Sequence, residues 1–307
     1  MGSGDTNPAP AGLIGVDWGN SNLRAFRFDV AGAVIETRQA PRGILAVEGG
    51  AFEAALADLA GDWLDGPAPA WLLCGAIGSR QGWREVPYVP CPASEAALIQ
   101  GLVPLPTQLG PAWIAPGVSL VTPGRAEVMR GEETKVLVAL AAGYRGVIIS
   151  PGTHGKWVSL EDGAITGLRS FMTGELFTLL KTHSILGALM APGPPDAAAF
   201  DEGVRRALAD PAITSLLLTA RAEALFSRIA AASIASYLSG LLIGAEVLGG
   251  LSHLEPETPI SLVGSPRLTP LYVRAFALAG RDGLATADGD AAVAQGLWRS
   301  GRGLVGG

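Results

Sequence analysis

Two short apolar runs in this chain end in polar, glycine-containing tips. Leu13–Val16 runs into Asp17-Trp18-Gly19-Asn20 with Ser21 next, and Gly146–Ile149 runs into Ser150-Pro151-Gly152-Thr153-His154. A strand entering a glycine turn aims free backbone N–H groups at one point, and such a nest binds phosphate oxygens without a lysine. Asp17 adds a carboxylate at the first tip, where a magnesium ion that keeps most of its waters needs only one acid plus the phosphates. Phosphoryl transfer then asks for charge stabilisation, alignment and a base for the accepting hydroxyl. Glu132 and Glu133, behind Met129-Arg130-Gly131, are candidates for that base. Plainer readings exist for both features: an Asp near a glycine serves turns, and acids favour the positive end of a helix.

The elements that must hold these groups follow from periodicity. Leu13–Val16, Leu23–Asp29 and Ala33–Arg38 read as a strand meander, Ala51–Leu64 as a helix, and Ala70–Cys74 and Ala112–Ala115 as further strands. Met129–Thr134 opens a helix that stops at Gly143. Later helices are expected over Gly174–His183, Asp196–Ala209, Ala222–Ile229, Ile234–Leu248, Thr269–Ala279 and Ala291–Ser300, with a strand at Ile260–Val263 that reaches Gly264-Ser265. Shifting the first tip by 133 residues superposes Gly19 on Gly152 and Asp29 on Asp162, and after a turn two residues shorter Ala33–Arg38 meets Ala164–Arg169. The period is near half the chain, which indicates a duplicated mixed α/β domain and not a solenoid.

Composition narrows the partners. With 22 Lys and Arg against 28 Asp and Glu, a net charge of -6, and Lys135, Lys156 and Lys181 as the only lysines, the chain lacks the basic stripe that nucleic acid requires. Cys74 and Cys91 are too few for a disulfide scaffold and suit a reducing, cytoplasmic compartment. The most apolar stretch, Tyr237–Leu251, carries Glu246 and is shorter than a membrane span of about 20 residues, so it reads as a buried helix. No membrane partner is expected. At 307 residues the chain is long for a single core.

Asp17-Trp18-Gly19-x-Ser21-Asn22-Leu23-Arg24, Met129-Arg130-Gly131-Glu132-Glu133-Thr134, Pro151-Gly152-Thr153-His154-x-Lys156-Trp157, Met172-Thr173-Gly174-Glu175-Leu176 and Ser239–Glu246 together resemble the 2-dehydro-3-deoxygalactonokinase family. The motifs span nearly the whole chain in order. The resemblance implies the actin, hexokinase and Hsp70 superfamily: two ribonuclease-H-like, actin-like ATPase lobes with a nucleotide cleft between them, ATP and Mg²⁺ as cofactors, and a sugar acid as acceptor. It divides the chain into a tail over residues 1–12, an N-terminal lobe over 13–145, a C-terminal lobe over 146–287, and a helix over 288–307 that packs back on the first lobe. It makes Asp17, Gly19, Asn20 and Ser21 a first phosphate motif and Gly152, Thr153 and His154 a second. Gly264 and Ser265 become an adenosine motif, with the usual second glycine missing. The catalytic carboxylate of hexokinase-like relatives falls at Glu133 or Glu132. The acceptor is implied to be 2-dehydro-3-deoxy-D-galactonate, phosphorylated at its terminal hydroxyl.

A sugar acid needs a cation for its carboxylate, and arginine offers a bidentate fork. Arg24 and Arg80 are the candidates, with Trp83 and Tyr88 beside Arg80 in the glycine- and aromatic-rich loop 75–92, and Glu175 for a sugar hydroxyl. Lys156 reads as a second-strand surface residue or as a ligand group. Homodimerisation is compatible with the sequence. The competing readings are a kinase of the same fold acting on another sugar or polyol, and a nucleotide-switched scaffold.

Overall fold

The structure is a computed structural model that describes residues 11–64 and 69–305. The expected tail lies outside the described residues except for its last two, which already belong to the first strand. In chain order the strands are β1 (Ala11–Trp18), β2 (Leu23–Asp29), β3 (Val34–Ala40), β4 (Ala70–Cys74), β5 (Tyr88–Pro90), β6 (Ala93–Ser94), β7 (Val103–Leu105), β8 (Ala112–Ile114), β9 (Gly117–Thr122), β10 (Arg125–Met129), β11 (Gly146–Ser150), β12 (Gly155–Glu161), β13 (Ala164–Phe171), β14 (Ile260–Gly264) and β15 (Ala285–Asp288). The helices are α1 (Phe52–Ala60), α2 (Glu95–Gln100), α3 (Glu132–Ala141), α4 (Thr173–His183), α5 (Ala197–Ala209), α6 (Ile213–Leu225), α7 (Ile234–Leu251), α8 (Thr269–Leu278) and α9 (Gly289–Gly301).

Two compact units result. One holds the described residues through Arg145 with Leu160–Leu168 and the described residues from Asp290 onward; the other holds Gly146–Ser159 and Arg169–Gly289. The first unit carries a sheet ordered β3-β2-β1-β4-β8-β7, in which β1 is antiparallel to β2 and parallel to β4. In the second sheet the same sequence of neighbours recurs as β13-β12-β11-β14-β15, with β14 parallel to β11. Third, second, first, fourth is the ribonuclease-H-like strand order, so the repeat read from the sequence is a duplication of fold.

Alternation along β1 sorts the first core into two layers. Ile14, Val16 and Trp18 pack with Phe52 and Leu56 of α1, whereas Leu13 on the opposite face packs with Val293, Ala294 and Leu297 of α9. Asp17, two residues beyond Gly15 and four beyond Leu13, therefore lies on the α9 face. The edge strand β3 is half exposed and polar, and Arg38 there pairs with Glu36 and Asp62.

In the second unit Val147, Ile149 and Leu262 of the sheet pack on Phe200, Val247 and Phe276 of α5, α7 and α8. The apolar stretch around α7 is longer than expected, 21 residues from Ala231 to Leu251, so length does not separate it from a membrane span. Packing does support the buried reading, because Tyr237, Leu238 and Leu241 have no exposed surface.

Two expectations need correction. The helix expected over Ala222–Ile229 is α6, Ile213–Leu225, because Ile213, Leu216, Ala220 and Ala224 supply the face that packs beside Tyr237 and Leu241. It ends before Ser227, whose φ of 56° leaves the helical region. Met129 does not open a helix but ends β10, and α3 starts at Glu132 after Gly131, whose φ is +110°.

Candidate active site

The register of the first sheet builds a row of side chains. Asp17 of β1 stands opposite Arg24 of β2 and beside Cys74 of β4. Arg24 Nη2 donates to Asp17 Oδ2 at 2.6 Å, and Arg24 Nη1 donates to Asp290 in the first turn of α9. Asp17 Oδ1 has only the Cys74 Sγ at 4.0 Å. Cross-strand pairing thus engages one carboxylate oxygen and leaves the other with the thiol alone among the described residues. Two acids share one guanidinium, so the cluster keeps a net negative charge suited to a hydrated cation.

Glu133 is near enough to the same thiol for its charge to act on it. Burial pushes the Cys74 thiol well up, and the charges of Asp17 and Glu133 add to that push. Glu133 is 2% exposed, and both of its carboxylate oxygens accept from the Gly131 N–H, at 2.8 and 2.7 Å. Burial, with the charge of Glu132 adding to it, pushes the Glu133 carboxyl up to about 8. A carboxyl with that ionisation is suited to proton transfer near neutral pH. Glu132 is half-buried.

Two glycines make the close packing possible. Gly75 has φ +94°, and a Cβ there would lie 2.7 Å from the Trp18 carbonyl oxygen and 3.3 Å from Asp17 Oδ1. Gly131 has φ +110°, and a Cβ there would lie 3.1 Å from the Gly75 Cα. Asp17, Gly75, Gly131 and Glu133 are therefore contiguous.

In the first tip Gly19 N–H donates to the Asn22 carbonyl at 2.9 Å, which turns the chain and leaves Asn20 and Ser21 exposed. In the second unit Gly152 is half-buried and Thr153 exposed. The N-terminus of α4 docks on that tip. Glu175 N–H donates to the Thr153 carbonyl at 2.9 Å, and a Cβ on Gly174 would lie 2.4 Å from the Gly152 carbonyl oxygen. His154 Nε2 pairs with the Glu175 carboxylate. Gly264, at the end of β14, is buried, and a Cβ there would lie 3.3 Å from Pro151, so the third motif adjoins the second tip. Ser265 is exposed and its Oγ accepts from Leu268 N–H at 3.3 Å, closing the turn into α8. Lys156 donates to Ser170 at 2.7 Å.

Beneath the second tip is a buried carboxylate. Glu246 of α7 accepts from Trp157 Nε1 at 3.0 Å, from the Tyr272 hydroxyl at 2.7 Å and from the Thr173 hydroxyl. Burial pushes its carboxyl up, and these three donors pull it partly back. The network ties β12, the start of α4, α7 and α8 together.

The remaining candidates lie apart from these clusters. Arg80 is 82% exposed and faces Glu85 at 3.6 Å. Trp83 stacks on Phe52 with ring centroids 6.2 Å apart and packs on the first core. Tyr88 lies under Arg130, whose guanidinium carbon is 4.2 Å from the ring centroid. Sequence reasoning missed Asp290, Cys74, Gly75 and the side chain of Arg130. Cys74 could have been found from the end of the strand parallel to β1, whereas Asp290, 266 residues from Arg24, carries no local signal.

A duplicated α/β fold with a carboxylate at one glycine tip and a buried acid beside it defines a phosphoryl-transfer type of protein. The chain belongs to the 2-keto-3-deoxy-galactonokinase family, whose sequence model matches residues 17–300. It is 36% identical to the 2-dehydro-3-deoxygalactonokinase of Escherichia coli strain K12 over 287 residues, covering 94% of this chain and 96% of that one. It is also 36% identical over 299 residues to a Rhizobium meliloti protein provisionally named 2-dehydro-3-deoxygalactonokinase DgoK1, with 94% and 96% covered. A Sinorhizobium meliloti crystal structure provisionally assigned the same activity matches with a TM-score of 0.85 and 35% identity, covering 95% of this chain and 96% of that one. The family is one of kinases, which implies use of ATP.

Proposed function

We propose that this chain transfers the γ-phosphoryl group of ATP to the terminal hydroxyl of 2-dehydro-3-deoxy-D-galactonate, giving the 6-phosphate and ADP, in the cytoplasm. The observation that supports this reading is the contiguity of Asp17 and Glu133 through Gly75, which approaches Asp17 Oδ1, and Gly131, which approaches Gly75 and donates its N–H to Glu133. A carboxylate suited to a metal and a carboxylate suited to a base in one cluster are what phosphoryl transfer to a hydroxyl needs.

The donor set fits magnesium held through water. Among the described residues no group of three or more His, Cys, Asp or Glu could cage a metal ion, and Asp17 Oδ1 is the oxygen left without a strong donor. Magnesium bound there would supply charge neutralisation of the transferring phosphates. Arg24 and Asp290 hold Asp17 in place. Gly19, Asn20 and Ser21 in the first tip, and Gly152, Thr153 and His154 in the second, offer backbone and side-chain donors to phosphate oxygens. Gly264 and Ser265 take the adenosine side. Glu133 takes the proton of the accepting hydroxyl, and Glu175 contacts a sugar hydroxyl.

A coupled assay of ADP release against a panel of acceptors tests this reading. Expected is a kcat/KM for 2-dehydro-3-deoxy-D-galactonate at least about tenfold above that for its gluconate epimer and for neutral hexoses, a gap of about 1.4 kcal/mol. Strong preference for a neutral hexose, or ADP release that ignores the acceptor, would overturn it.

A further inference from the structure

Arg130 is a cation with unused donors. Its Nη2 donates to the Val86 carbonyl at 2.6 Å and its guanidinium lies over the Tyr88 ring. Its Nε and Nη1 are enclosed and meet no acceptor, which makes Arg130 the only arginine among the described residues with two such nitrogens. Nη1 lies 2.9 Å from where a Cβ on Gly78 would sit, so the loop backbone is pressed against it. Glu133 feels its charge but turns to the Gly131 amide.

Two guanidinium nitrogens out of water, with one carbonyl and one ring as the close partners of the group, are an expensive arrangement, because enclosed charges are ordinarily paired. Arg24 is engaged by Asp17 and Asp290, and Arg80 is mostly exposed beside Glu85. Of these three, Arg130 is thus the arginine with guanidinium N–H groups left for a carboxylate. From neighbouring positions Arg130 reaches out to Val86 and Tyr88, while Glu133 stays at the helix start.

We propose that Arg130 binds the carboxylate of the sugar-acid acceptor and so sets the preference for acids over neutral sugars. This rests on the functional reading above. Because both free nitrogens are enclosed, binding shifts the segment from Gly78 to Tyr88 off the guanidinium.

The test is steady-state kinetics of Arg130→Met and Arg130→Lys with 2-dehydro-3-deoxy-D-galactonate and with a neutral deoxyhexose of the same stereochemistry at its terminal carbons. Arg130→Met is expected to raise KM for the acid on the order of 100-fold, with KM for ATP and kcat/KM for the neutral sugar unchanged, as loss of a charge-assisted pair predicts. Arg130→Lys keeps the charge without the fork and is expected to raise it roughly tenfold. Equal losses for both acceptors and for ATP would make Arg130 a strut for the loop and overturn the inference. An unchanged KM for the acid in either variant would overturn it too. If Arg130→Met does not fold, the lysine variant decides alone. Failure of the wild-type chain to phosphorylate the acid sinks the functional reading instead.

Discussion

Asp17→Asn is expected to lower turnover in a coupled ADP assay on the order of 10³-fold or more, the scale set by losing a charged group that organises phosphoryl transfer, while the melting temperature moves by only a few degrees. Asparagine keeps the shape of the side chain and its place in the row between Arg24 and Cys74. Arg24 retains Asp290, so no buried charge is orphaned by the change. What disappears is the anionic oxygen facing away from Arg24, the group assigned to hold hydrated magnesium. The loss should therefore show in kcat together with a weakened dependence on magnesium concentration. A variant turning over near the wild-type rate would remove Asp17 from the metal role.

Glu133→Gln should lower kcat by about 10²- to 10⁴-fold, the usual contribution of a positioned base, and it should also change the pH profile. A base must be ionised to accept a proton, and the Glu133 carboxyl is held up to about 8 by burial first and by Glu132 second. Wild-type activity should thus climb with pH through a midpoint near 8 and level off above it, and the glutamine variant should lose that limb. Glu132→Gln, by removing the second cause, should move the limb to lower pH.

Stability makes a separate check with a definite sign. The folded-state ionisation of Glu133 lies above the ordinary value of 4.5. Between 4.5 and about 8 the folded chain therefore holds a proton that the unfolded chain has lost, and stability falls as pH rises through that window. Glutamine cannot ionise. Its melting temperature should gain on the wild type between pH 6 and pH 9, and a gap that stays constant would contradict the buried, raised carboxyl.

Much of this site was legible before folding because it rests on local signals. The strand, the glycine tip and its copy 133 residues on are visible in the order of the residues, and the same strand order in both sheets follows from that duplication. Two acids at the start of α3 were legible from the helix pattern. Burial, which separates Glu133 from Glu132, was not, since it depends on β4 and α9 packing around the helix start. Arg24 lies opposite Asp17 in a tight meander, so their pairing could have been read from hairpin register. The second partner, Asp290, arrives from the far end of the chain and could not.

Other elements were misread or missed. β15, Ala285–Asp288, is exposed along its length and has no alternation to announce it. β9 and β10 follow a loop whose turns hide the pairing of Met129 with Val118. α6 was placed too late although its own Ile213, Leu216, Ala220 and Ala224 carry the helical spacing that packs beside Tyr237.

The most direct measurement is the identity of the product: incubation of the chain with ATP, magnesium and 2-dehydro-3-deoxy-D-galactonate, followed by phosphorus and proton NMR of the mixture. A single phosphate ester coupled to the protons on carbon 6, formed in step with ADP, is the predicted result. Free phosphate released at the same rate with and without the acid, or an ester on another carbon, would contradict it.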